Sequence, residues 1–382
     1  MTNTLQGEID QRSREIHTDR YSMSISEVVS MYEAGDLEVH PEFQRIFRWS
    51  VDQQSRLIES VFLGIPIPPV FVAQRKDGVW DVVDGVQRLS TLLRFMNTLK
   101  HEDGSRDQAL PLVAGDYLKH MKGLLWESQS DDSNTTETHE MDESQRRVFK
   151  RARLDFQIVQ KESDDQAKYD LFQRLNSGTR LSEQEARNCL AVMLDATFAT
   201  WLGDLAKFEA YDNTVDISDR KEQEAYGVES VLRYLACVKT PMPELLKMGD
   251  VGEFLTTRMR AFIVDQKFDR DAERKRFEFV FSEIDRALGG EAFKRYNPSQ
   301  DRFSGKFSIS AFEAMASGMA RNESAWRSLH LDDRPGRLRQ AAIALWDDDV
   351  FVRRSGGGRP AYLRIPYMVE AGERIFREFA QP

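Results

Sequence analysis

Asp84-Gly85-Val86-Gln87-Arg88 sets an acid, a glycine, an amide and a guanidinium at one junction. Before it runs VWDVVD, a short strand-like stretch. After it, Leu89, Leu92, Leu93 and Met96 recur at helical spacing. A helix start leaves about four backbone N–H groups without intrahelical partners, and its dipole favours an anion. Gly85 allows a tight turn and close approach of a ligand to the backbone. Gln87 and Arg88 fall in the first helical turn, where side chains reach the same ligand. A guanidinium offers the donor fork that suits phosphate. Asp84 could cap the helix, orient Arg88 or hold a metal–phosphate unit. The same residues also describe a plain strand-to-helix turn with a capping Asp, and local chemistry leaves both readings open.

Two further strings carry comparable chemistry. HPEFQRIFRW packs Gln44, Arg45, Arg48 and Trp49 with other aromatics just before a helix start. Such a string can bind phosphate and stack a base, or it can be an arm whose aromatics close a core. LFQRLNSGTRLSEQEARNCL places Arg174, Asn176, Ser177 and Arg180 around a helix-stop loop. It reads as a polar corner for a ligand or as a well-capped helical hairpin.

The elements that must position these residues are legible in the pattern. Ser24 and Glu27 form a capping box for a helix that Gly35 ends. Leu37–Pro41 is a short extended segment. Ser50 and Gln53 open a helix with Leu57, Ile58, Val61 and Phe62 on one face, stopping at Gly64. IPIPPVFVAQ and VWDVVD, joined across Lys76-Asp77-Gly78, predict a β-hairpin. ARLDFQIVQ, 152–160, predicts another strand. Helices are predicted from Ser163 to the Asn176-Ser177-Gly178 stop and from Ser182 through Leu194. Beyond residue 195 the pattern is mostly helical, at 225–238, 252–264, 270–288, 310–320, 335–346 and 365–379, with a glycine-rich break at 354–359. No internal repeat is present. The fold class is α+β, with domains at 1–195 and 196–382.

The 382 residues carry a net charge of −10. That argues against indiscriminate coating of nucleic acid, which draws on a basic surface, but it permits a local basic pocket. Residues 127–143 hold acids, Ser and Thr with no Lys or Arg, and read as a solvated loop or insertion. No apolar run approaches the roughly 20 residues that span a bilayer. The polar N-terminus lacks a signal-peptide core, so no membrane contact is expected and the location is read as cytoplasmic. Cys189 and Cys237, in helix-like apolar settings, read as free thiols in a reducing compartment. No Cys/His spacing suits a structural zinc.

Taken in order, the strings resemble the DUF262 family, the GmrSD-type N-terminal domain of the ParB/sulfiredoxin-like fold. The family's Q-R-x-x-x-W element is matched by Gln44–Trp49 and its I-P-x-P-P strand entry by Ile65–Pro69. Its Asp-Gly-Gln-Gln-Arg signature is matched by Asp84–Arg88, and its F-x-R-L-N-S-G run, ending in Arg-Asn, by Phe172–Asn188. The resemblance covers about residues 20–195. It implies a small sheet in the N-terminal domain and a nucleotide-binding component of a restriction or anti-phage defence system. Asp84, Gln87 and Arg88 would then be catalytic. Gly85, Gln44, Arg45, Arg48, Trp49, Arg174, Asn176 and Ser177 would hold nucleotide phosphates. An NTP is the implied ligand, with GTP, ATP and CTP not distinguished, and Mg2+ as the accompanying ion. A partner defence protein, DNA, or further copies of the chain are the implied associates. NTP hydrolysis, a ParB-like nuclease and a non-enzymatic DNA-binding scaffold stay open as alternatives. Val86 stands where the signature has its first glutamine, which puts hydrolysis in doubt. A His-Asn-His nuclease needs histidines that the C-terminal half lacks: only His330, in SLHLDDRPG, lies beyond residue 140.

Overall fold

A computed structural model describes residues 17–39, 49–101, 104–127, 138–161, 163, 183–215, 226–355 and 360–381. The chain divides into two compact units, residues 1–181 and 182–382.

The first unit is α+β. Its described elements are β1 (Thr18–Ser24), α1 (Ile25–Ala34), β2 (Leu37–Glu38), α2 (Val51–Leu63), β3 (Val70–Gln74) and β4 (Trp80–Asp84). They continue with α3 (Val86–Phe95), β5 (Leu124–Leu125), β6 (His139–Glu140), α4 (Glu143–Arg151) and β7 (Arg153–Val159). Five strands form one mixed sheet in the order β1-β7-β3-β4-β2. The predicted hairpin is present, β3 antiparallel to β4, and β7 lies parallel to β3 on its other side. Both helices form, but only the second has the full capping box expected of both; at the first, the Glu27 side chain accepts from the Tyr21 hydroxyl instead. Ser24 accepts from the Glu27 N–H, and Ser50 with Gln53 makes a reciprocal capping box. Gly35 and Gly64 end these helices in the left-handed conformation, which costs glycine no Cβ clash.

The core of this unit joins Val70, Val72 and Val82 of the sheet to Ile58, Leu89, Leu92 and Phe95 of the helices. Phe149 of α4 closes it, its ring 5.5 Å from Phe95 and 5.7 Å from Trp126. Residues 127–143 read as a solvated loop or insertion with no helix after it; of these, 128–137 lie outside the described residues. Here Asp142 caps α4 with a full capping box, and Phe149 is the helix's buried side chain. One apolar anchor in a helix of Glu, Gln, Lys and Arg is too little periodicity to be seen in advance. β1 escaped for a related reason: TDRYSMS is largely exposed and held by its pairing with β7.

The second unit is built from helices α5 (Glu183–Leu194), α6 (Ala196–Ala206), α7 (Glu209–Thr214), α8 (Tyr226–Lys239), α9 (Met242–Leu245) and α10 (Val251–Val264). They continue with α11 (Arg270–Leu288), α12 (Ile309–Arg321), α13 (Glu323–Ser328), α14 (Arg334–Asp347), α15 (Asp349–Arg354) and α16 (Ile365–Phe379). A two-stranded ribbon, β8 (Arg295–Asn297) and β9 (Arg302–Ser304), interrupts them. Every helix predicted beyond residue 195 is present. Phe281 of α11 packs edge-on to Tyr211 and Tyr234, and Phe277 packs edge-on to Tyr234. Cys237 is a free, buried thiol, pushed up to about 12 by burial. Among the described residues no helix is long and apolar enough to cross a membrane.

Candidate functional site

The turn from β4 into α3 is built by two irregularities. Asp81 and Val82 pair with Ala73 and Val72, but Asp84 pairs with Phe71, so Val83 is an extra residue on β4. Such a bulge re-aims the side chain that follows it, here Asp84. The next residue, Gly85, has φ +100° and is the N-cap of α3. A Cβ there would sit 3.1 Å from Cγ2 of Val70 and 3.2 Å from Nη2 of Arg88, so both its backbone angle and its surroundings favour glycine.

α3 starts with no side-chain cap. Its first internal bond runs from the Leu89 N–H to the Gly85 carbonyl at 2.9 Å. The N–H groups of the opening turn therefore have no acceptor inside the helix. Asp84 does not cap the helix but pairs with Arg88: Nη2 donates to Oδ2 at 2.7 Å.

Arg88 is the best-anchored side chain of the turn. Its Nη1 donates to the carbonyl of Pro68 and, at 3.1 Å, to that of Pro69. The Arg88 side chain is 12% exposed and that of Asp84 34%. The diproline suits this role, because each ring fixes φ and so helps aim the carbonyls. The sequence held the signal in the I-P-x-P-P string, but nothing local said that Pro68 and Pro69 would face Arg88.

Val86 is 4% exposed and belongs to the apolar core. It brings no polar group to the turn. Gln87 is half-buried, and its carbonyl accepts from Oγ1 of Thr91 at 2.7 Å. Trp49 is half-buried against the same core, and its carbonyl accepts from Nε2 of Gln54 at 2.8 Å. Gln54 in turn accepts from Arg94 of α3 at 3.4 Å. Gln44, Arg45, Arg48, Arg174, Asn176, Ser177 and Arg180 lie outside the described residues. The end of the third string is described: Arg187 and Asn188 are buried within the second unit, beside Gln184.

Among the described residues no cluster of His, Cys, Asp and Glu could hold a metal by itself. His330 is exposed, 3.5 Å from Asp332. A nucleotide's Mg2+ makes a smaller demand, since it is commonly bound by one or two carboxylates plus the phosphates. Asp84 fits that demand: Oδ2 is taken by Arg88, and Oδ1 has no hydrogen-bond partner among the described residues.

Residues 25–192 match the family model described as GmrSD restriction endonuclease, N-terminal domain. This stretch is similar to the GmrSD-type N-terminal domain. No curated protein and no solved structure matches the chain. The GmrSD-type match contains the Asp84–Arg88 turn and runs past Leu181 into α5, so its last residues fold with the helical unit. A domain of this type points to a component of a restriction or defence system.

Proposed function

We propose that the chain is a nucleotide-binding component of a restriction or anti-phage defence system, and that the turn Asp84–Arg88 receives the phosphates of an NTP. The observation that carries this reading is the uncapped start of α3, opened by Gly85 with the Asp84–Arg88 pair fixed beside it. N–H groups with no acceptor inside the helix and a helix dipole meet an anion there, and glycine lets it approach the backbone. The GmrSD-type match supports the assignment to a defence component. Arg45, Arg48, Arg174, Asn176 and Ser177 are assigned to the same ligand from their place in the matched strings. Asp84 carries the accompanying Mg2+. Val86, being apolar and buried, contributes nothing to attack on a phosphate, so turnover rests on Asp84 and Gln87.

The test is a titration of the full chain with GTP, ATP, CTP and UTP in the presence of Mg2+, followed by a phosphate-release assay. Saturable binding of at least one NTP is expected at micromolar concentration, about −8 kcal/mol. If all four fail to bind up to millimolar concentration, the reading is wrong.

A further inference from the structure

Arg88 looks like a phosphate donor by residue type, but its bonds give it another task. Nη1 serves the Pro68 and Pro69 carbonyls and Nη2 serves Asp84. To grip a phosphate with those nitrogens it would have to surrender charge-assisted bonds that its burial makes costly to lose. Asp84 presents the complementary problem. It is a carboxylate placed one residue from the N-cap of an uncapped helix. Arg88 offsets that charge on the Oδ2 side only; on the Oδ1 side a second anion would meet the carboxylate directly unless a cation stood between them.

We propose that Arg88 is a positioning residue: the Pro68 and Pro69 carbonyls hold its guanidinium, and it fixes Asp84 by Oδ2 so that Oδ1 takes the divalent cation that accompanies the NTP. This rests on the nucleotide-binding reading above and assigns the parts of the same site. The I-P-x-P-P string then has a purpose without touching ligand. Val83, the bulge residue, has one too, because it sets the direction in which Asp84 leaves the strand. Lysine cannot replace arginine here: a single ammonium lacks the planar fork that spans the carbonyls and the carboxylate together.

The experiment compares affinity of the full chain for the best-binding NTP with Mg2+ and with EDTA. For the wild-type chain the ratio of the two affinities is expected to be about tenfold or more. In Arg88→Lys and Asp84→Asn the ratio is expected to fall toward one, with melting curves recorded to confirm that each variant is folded. A ratio that stays at the wild-type value in both variants overturns the inference. So does an Arg88→Lys variant that loses equal affinity in Mg2+ and in EDTA, since that marks a direct phosphate donor. Should Arg88→Lys fail to fold, the partly exposed Asp84→Asn decides by the same ratio. A wild-type chain that binds NTP equally with and without Mg2+ sinks this inference alone. One that binds no NTP sinks the nucleotide reading and this inference with it.

Discussion

Two regions of the molecule gather arginines around carboxylates, and they do so to different ends. At the β4–α3 turn, Arg88 meets Asp84 and the carbonyls of Pro68 and Pro69, and Asp84 keeps a third of its side chain in solvent. Within the helical unit, Glu313 is wholly buried. It accepts from Nη1 of Arg233 at 3.1 Å and from Nε and Nη2 of Arg364 at 3.1 and 2.9 Å. Glu229 accepts from Arg233 at 2.6 Å and from Arg187 at 2.9 Å. Burial works against the charge on Arg233, but Glu313 and Glu229 outweigh it and raise its pKa. Burial likewise raises the Tyr226 phenol.

The difference lies in what is left over. In the helical unit each carboxylate is consumed by arginines from several elements, so the network ties α5, α8, α12 and the N-cap of α16 together. Charges taken so far out of water persist only when paired, and removing one partner is then severe. At the turn an acceptor oxygen and a helix N-terminus remain for something else. The comparison also divides the third string of the sequence. Arg187 and Asn188, which end that string, bond to Glu229 and Gln184 inside the helical unit.

The largest expected effect tests the buried side. Glu313→Gln should leave Arg233 and Arg364 short of charge and cost about 3–5 kcal/mol, read as a fall in melting temperature or denaturation midpoint. A loss under about 1 kcal/mol would put this network in the class of surface pairs and erase the contrast. Gly85→Ala comes next, at the turn. Its φ of +100° and the contacts with Val70 and Arg88 make a cost of roughly 1–3 kcal/mol, together with weakened NTP binding in titration. Unaltered binding would detach the turn's backbone from the ligand.

Glu59 is a buried carboxylate of a third kind, held mainly by backbone N–H groups. It accepts from the N–H groups of Asp116, Tyr117 and Leu118 at 3.2, 2.7 and 2.7 Å. Burial pushes its carboxyl up, but those N–H groups and the charge of Lys119 outweigh burial and hold it below the ordinary value of 4.5. A lowered folded-state value means the stabilisation is full above about 4.5 and fades as pH falls through the folded value. Glu59→Gln should cost about 2 kcal/mol at neutral pH and flatten the acid limb of a stability–pH curve. An acid limb identical to wild type would remove Glu59 from that role. The smallest change in stability is expected for Arg88→Gln, about 1–2 kcal/mol, because the Asp84 it leaves behind keeps a third of its side chain in water. A melting shift as large as that of Glu313→Gln would mean the turn is scaffolding too.

Much of this was legible beforehand because it is written locally. Ser50 with Gln53, Gly35 and Gly64 mark helix ends through backbone bonds and angles that neighbouring residues decide. The long helices beyond residue 195 declare themselves by apolar spacing. α4 did not, because Phe149 matters only through Phe95 and Trp126, which lie distant in sequence. The Asp84–Arg88 pair was among the readings open at the turn, and the structure selects it over an Asp cap.

The α+β class, the glycine turn and the motif strings are set locally, each by residues within a few positions of one another. Tertiary structure alone decided which arginines remain available. Arg88 is committed by carbonyls about twenty residues upstream, and Arg187 by Glu229 on another helix. A guanidinium has the same donors wherever it sits. Whether they face a ligand or the chain's own oxygens depends on distances that only folding sets.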